Sequence, residues 1–106
     1  MSVKIEVGQK YVRALLEGEI DHHSAAFIRK NIDRTVAKKK PELLILDFSA
    51  VSFMDSSGVG LVMGRYKLMN SMGAEIRVEN LSPGAYKIMR LAGIDRLGEI
   101  RQKEIV

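Results

Sequence analysis

The sequence predicts an α/β domain in which helices pack against a mixed β-sheet, and three observations predict it. Strand-like alternation and helix-like spacing succeed one another along the chain in the order ββ, α, β, α, β, α. The run Leu43-Leu44-Ile45-Leu46 is short, unbroken and apolar, as a central strand covered on both faces requires. Single helices separate the later strands, a connection that makes parallel neighbours. The 106 residues are expected to form one domain, 1–106, with no room for a second core.

Val3, Ile5 and Val7 alternate with polar residues as in a half-exposed strand. Gly8-Gln9-Lys10 reads as a tight turn into the second strand, Tyr11 to Leu16, its hairpin partner. Asp21 and Ser24 are both candidate N-caps, because their side-chain oxygens can accept from free helix N–H groups. Ala25, Ile28, Ile32 and Val36 then recur at helical spacing up to the lysine run and Pro41, leaving Arg29, Lys30, Asp33 and Arg34 for solvent. After the central strand, Phe48 to Met54 reads as a connection with apolar anchors. At Asp55-Ser56-Ser57-Gly58 the period becomes helical: Val59, Val62, Met63, Tyr66 and Met69 form a stripe that Leu61, Leu68 and Met72 widen, and Gly73 suits the C-terminal cap. Glu75 to Glu79 alternates as a strand nearer an edge. Ser82-Pro83 supplies an N-cap and a first-turn proline for a helix with Ala85, Ile88, Met89 and Ala92 inward and Gly93 as its stop. One more edge strand is expected around Glu99-Ile100.

Composition narrows the function. The net charge of +4 raises the question of nucleic acid. The basic residues are nevertheless dispersed, and Lys38-Lys39-Lys40 falls at a helix end, where cations complement the dipole. Aromatics are only 6%, too few for a stacking platform, so direct nucleic-acid binding is not expected. The absence of cysteine excludes disulfides. The first residues lack the apolar core of a signal peptide, and no apolar run reaches the roughly 20 residues that span a bilayer. A cytoplasmic chain with no membrane association is expected.

Catalysis and metal binding find little support. His22 and His23 are adjacent on a helix, about 100° apart, and no third ligand stands at metal spacing. Met54 occupies the position where a hydrolase elbow around Ser56 would need its first glycine. Lys67 lies too far beyond Gly58 for a phosphate-binding loop. No cofactor is expected, and the chain is not expected to be an enzyme.

The Asp55-Ser56-Ser57-Gly58 junction is the informative segment. A helix start offers unsatisfied N–H donors and partial positive charge, which accommodate an anion. Asp55 can cap it, and Ser56 and Ser57 stand in its first turn. Read on its residues alone, the segment is either a well-capped helix start or an anion or phosphorylation site. Gly60 and Gly64 each cost the helix about 1 kcal/mol relative to Ala. The expected reason is close packing onto the sheet, with close approach by a partner the alternative.

The stretch from Leu46 to Leu61, centred on Phe53-Met54-Asp55-Ser56-Ser57-Gly58, resembles the signature of the anti-sigma factor antagonists, the STAS-domain family, and most of all its sporulation members. Gly18 to Ala25, with Asp21-His22-His23, shares the resemblance, as do Gly64-Arg65-Tyr66-Lys67, Leu81-Ser82-Pro83 and Leu91-Ala92-Gly93-Ile94. The resemblance implies a STAS-type fold and a switch. An unphosphorylated antagonist binds an anti-sigma factor that is also a serine kinase, and the sigma factor is released. Phosphorylation on the serine that maps to Ser56 ends the interaction, and a PP2C-type phosphatase restores it. By the same mapping, Asp21, Asp55, Ser57 and Gly58 contact the partner. The rival expectation is a STAS interaction module that docks another partner without phosphorylation.

Overall fold

The protein is described by a computed structural model over residues 2–104; residues 1, 105 and 106 of the expected domain lie outside the described residues. Strands β1 (Ser2–Val7) and β2 (Tyr11–Ile20) form the expected antiparallel hairpin. They are followed by α1 (His22–Lys39), β3 (Leu43–Met54), α2 (Ser56–Ser71), β4 (Glu75–Leu81), α3 (Pro83–Leu91) and β5 (Glu99–Gln102). A single 3₁₀ turn, Ile94–Arg96, joins α3 to β5. The five strands lie in the order β1-β2-β3-β4-β5, and every pair after the hairpin is parallel, as one helix per connection dictates.

Two strands exceed the sequence expectation. Phe48 to Met54 is not a connection: β3 runs on through Met54, alongside a shorter extension of β2 through Ile20. Glu17 pairs with Ala50, Gly18 with Val51, Glu19 with Phe53 and Ile20 with Met54. The register shifts between Leu15 and Glu17 and again between Gly18 and Glu19. These irregularities break the two-residue period by which a strand is recognised. Gly18 absorbs one of them at φ +87°, a conformation that costs a side-chain-bearing residue.

One face of the sheet builds the core. Val12, Ala14, Leu16, Leu44, Leu46, Ile76 and Val78 alternate inward and are buried, and Ile28, Ile32 and Val36 of α1 join them. The buried face of α2 comprises Gly58, Leu61, Val62, Arg65 and Met69: it keeps Leu61, Val62 and Met69 of the predicted stripe but turns to take in Gly58 and Arg65. Val59, Met63, Tyr66 and Leu68 are only half-buried and Met72 is exposed, because α2 packs beside α1 as well as on the sheet. On α3, Met89 is buried, whereas Ile88, Leu91 and Ala92 face out.

The opposite face carries an ion-pair lattice. Arg13 Nη1 lies 3.0 Å from Asp47 Oδ2 and 2.9 Å from Glu79 Oε1. Arg77 reaches Glu79 at 3.2 Å and Glu99 at 2.9 Å, and Arg101 reaches Glu99 at 2.7 Å. Asn80, in the left-handed region at φ +61°, donates to Asp47 Oδ1 at 3.0 Å, and the Ser49 N–H donates to the same oxygen at 2.9 Å. Burial raises the pKa of the Asp47 carboxyl, but these hydrogen bonds and the Arg13 charge outweigh it and hold the group below its ordinary value.

A carboxyl held low in the folded state contributes stability above its unfolded pKa of about 3.9 and loses that contribution as pH falls through the folded value. Asp47→Ala is therefore expected to destabilise the protein by about 1–3 kcal/mol at pH 7, since it strands Asn80 and part of Arg13. The difference from wild type should shrink below about pH 4. Urea denaturation of both proteins across pH 3–7 checks this; a pH-independent difference would contradict the account.

Candidate functional site

At the carboxyl ends of β2 and β3, Ile20 and Met54 are register partners. Neighbouring strands lie about 4.8 Å apart. The Asp55 N–H donates to the Ile20 carbonyl at 3.2 Å, carrying the pairing one residue past the strand. The next residues, Asp21 and Asp55, both leave the sheet in extended conformation and cap a helix. The fold thus sets two helix starts side by side.

The two caps differ in detail. Asp21 Oδ1 accepts from the Ser24 N–H at 2.9 Å while Ser24 Oγ accepts from the Asp21 N–H at 2.8 Å, a reciprocal capping box. Both N-cap candidates of the sequence thus act together, Ser24 as the buried third helical residue. The Ser24 N–H holds the Asp21 carboxyl below its usual range. At α2, Asp55 Oδ1 accepts from the Ser57 N–H at 2.7 Å, and the Asp55 carbonyl accepts from the Gly58 N–H at 3.1 Å.

Ser56 is the first residue of α2 and is exposed. Asp55 does the capping, so no hydrogen bond among the described residues engages the Ser56 hydroxyl. Ser57 is half-buried and faces α1. Gly58 is buried because Met54 lies on it: a β-carbon there would stand 2.2 Å from Met54 Sδ and 2.3 Å from Cγ. Phe53, expected to anchor a connection, is 57% exposed next to the loop. The structure therefore gathers Asp21, Asp55, Ser56, Ser57 and Gly58 at one end of the sheet. His22 and His23 sit at the start of α1 with ring centroids 5.8 Å apart, edge to face.

Two features escape sequence reading. Arg65 is 6% exposed, with Nε 2.8 Å from Asp33 Oδ1. These two atoms lack the alignment of a hydrogen bond. Burial pushes Arg65 down and Asp33 up, and their attraction offsets only part of that cost. An arginine inside an apolar helical stripe reads as solvent-facing, so only the α1 neighbour reveals it. The second feature is a groove of about 430 Å³ between α1 and α2, bordered by His22, Ala25, Arg29, Ser57, Gly60 and Gly64. Gly60 and Gly64 do not pack onto the sheet as expected: a β-carbon at either meets nothing within 4 Å.

The STAS domain signature matches residues 11–104. The chain belongs to the STAS domain family. It is 30% identical over 105 residues to the anti-sigma F factor antagonist of Paenibacillus polymyxa, covering 99% of this chain and 90% of that relative. The anti-sigma factor antagonist SpoIIAA in its unphosphorylated form superposes with a TM-score of 0.81 at 32% identity, over 93% of this chain and 87% of that one. SpoIIAA of Bacillus in its phosphorylated form gives 0.75 at 32% identity, over 93% and 90%. No helix among the described residues of this STAS domain is long and apolar enough to cross a membrane.

The contact between Met54 and Gly58 in the STAS domain is testable. Gly58→Ala is expected to cost about 1–3 kcal/mol through overpacking. In a Met54→Ala background the same change should be neutral or stabilising by up to about 1 kcal/mol, since Ala is the better helix former. Chemical denaturation of the four proteins measures the coupling, and equal costs in both backgrounds would refute the contact.

Proposed function

We propose that this STAS domain is an anti-sigma factor antagonist of the partner-switching kind. Unphosphorylated, it binds an anti-sigma factor that is also a serine kinase, and the sigma factor is freed for sporulation transcription. Phosphorylation of Ser56 by that kinase ends the interaction, and a PP2C-type phosphatase restores it. Asp21, Asp55, Ser57 and Gly58 form the contact around the phosphoacceptor. Similarity to an anti-sigma F factor antagonist over nearly the whole chain supports the function.

The observation that carries Ser56 is its exposed hydroxyl at the first position of α2, with capping delegated to Asp55. A phosphate there adds about −1.5 to −2 charges where the helix dipole tolerates them. The fold can therefore outlast the modification. The contact surface cannot stay the same, because the dianion joins the Asp55 and Asp21 carboxylates already gathered there. Enclosing the new dianion in a flat interface without a matching cation costs several kcal/mol. Each 1.4 kcal/mol is tenfold in affinity. Loss of binding by orders of magnitude then needs no refolding.

Incubation with the cognate anti-sigma factor kinase and ATP should add one phosphate to Ser56, read by intact mass and peptide mapping. Ser57→Ala should retain the modification and Ser56→Ala should lose it. Ser56→Asp should bind the kinase at least ~10-fold more weakly with an unchanged circular dichroism spectrum. An unmodified chain would assign the domain to the class of STAS modules that dock without phosphorylation.

A further inference from the structure

Gly60 and Gly64 stand one turn apart on α2, and nothing in the chain requires either. Both have φ in the ordinary range, and an added β-carbon meets no atom within 4 Å. Alanine would fit at both positions and make the better helix. What the glycines do create is depth: with Ala25 and Ala26 of α1 they form the groove that ends at Ser57, beside the phosphoacceptor.

The ionisable side chains bordering that groove are His22, Arg29 and Arg65, with no carboxylate among them. Arg65 is nine-tenths buried, and its Nε has no hydrogen-bond partner. Asp33 balances its charge from the α1 side. Arg29 is exposed and makes no ion pair among the described residues. An occupant suited to this surface is apolar where it meets Gly60, Gly64 and Leu61, and acidic where it passes Arg29.

We propose that the groove between α1 and α2 receives a bulky apolar side chain from an acidic segment of the anti-sigma factor, with a carboxylate of that segment on Arg29. The proposal rests on the antagonist reading and adds a second anchor, on the side of α2 that faces α1, to the contact around Ser56. The absence of β-carbons at Gly60 and Gly64 lets the partner's side chain approach the α2 backbone. Central, enclosed apolar anchors flanked by charge are where interfaces concentrate their affinity.

The test uses the full chain and the cognate anti-sigma factor, with affinities from titration calorimetry. Gly60→Ala with Gly64→Ala should leave the thermal midpoint unchanged or raised and weaken binding at least tenfold. Arg29→Glu should weaken binding to a similar extent and flatten its salt dependence. Wild-type affinity in the glycine variant and in Arg29→Glu would overturn the groove while leaving the antagonist reading intact. A wild-type chain that fails to bind the anti-sigma factor would overturn that reading, and the occupant with it. Binding that is lost in the groove variants while Ser56 stays unmodified would keep the groove and remove the switch. Light scattering that shows a wild-type dimer abolished by the glycine changes would assign the groove to a second copy, against the proposal.

Discussion

The parallel pairing of β2 with β3, carried to its last rung at Ile20 and Met54, is the constraint on which the site depends. It brings two chain segments 34 residues apart to one end of the sheet in the same direction. The Asp55 N–H to Ile20 carbonyl bond then fixes where the second helix begins. Each strand hands over to a helix within one residue, with no loop to blur the geometry. Two positive helix ends and two capping carboxylates come to lie together for that reason, and an exposed hydroxyl beside them has a defined setting.

The two faces of the sheet are held by different physics. The helix-covered face is apolar from Val12 to Val78 and gains from leaving water. The other face, uncovered by helices, is tied by arginines that each bridge carboxylates on neighbouring strands, with Asp47 as the most enclosed acidic member. Exposed pairs of this kind contribute little singly. Asp47 differs because Asn80, Ser49 and Arg13 all converge on it, so its removal leaves several groups without partners.

Much of this architecture was legible in the sequence. The element order, the parallel pairing, a helix start between Asp21 and Ser24, those at Asp55 and Ser82, and the edge position of β5 all follow from local patterns. The extensions of β2 and β3 were not legible, because the shifts around Glu17 and Gly18 break the alternation that marks a strand. The orientation of α2 was obscured by Arg65, whose burial depends on Asp33 in another helix. The site was readable as a helix start, and the resemblance named Ser56 within it. Its adjacency to Asp21 is a property of the sheet alone. Gly60 and Gly64 could be flagged as costly from sequence; the open space above them could be found only in three dimensions.

Among the described residues the sheet is not closed, so β1 and β5 each present a free edge, and such edges template aggregation when flat and apolar. Here both rims are charged. Lys4 and Glu6 punctuate β1, while the four-residue β5 carries Glu99 and Arg101 and is followed by Lys103. A foreign strand adding to either rim would have to strip water from those groups without matching them. Crowded copies of the chain are thereby steered away from strand-to-strand polymerisation.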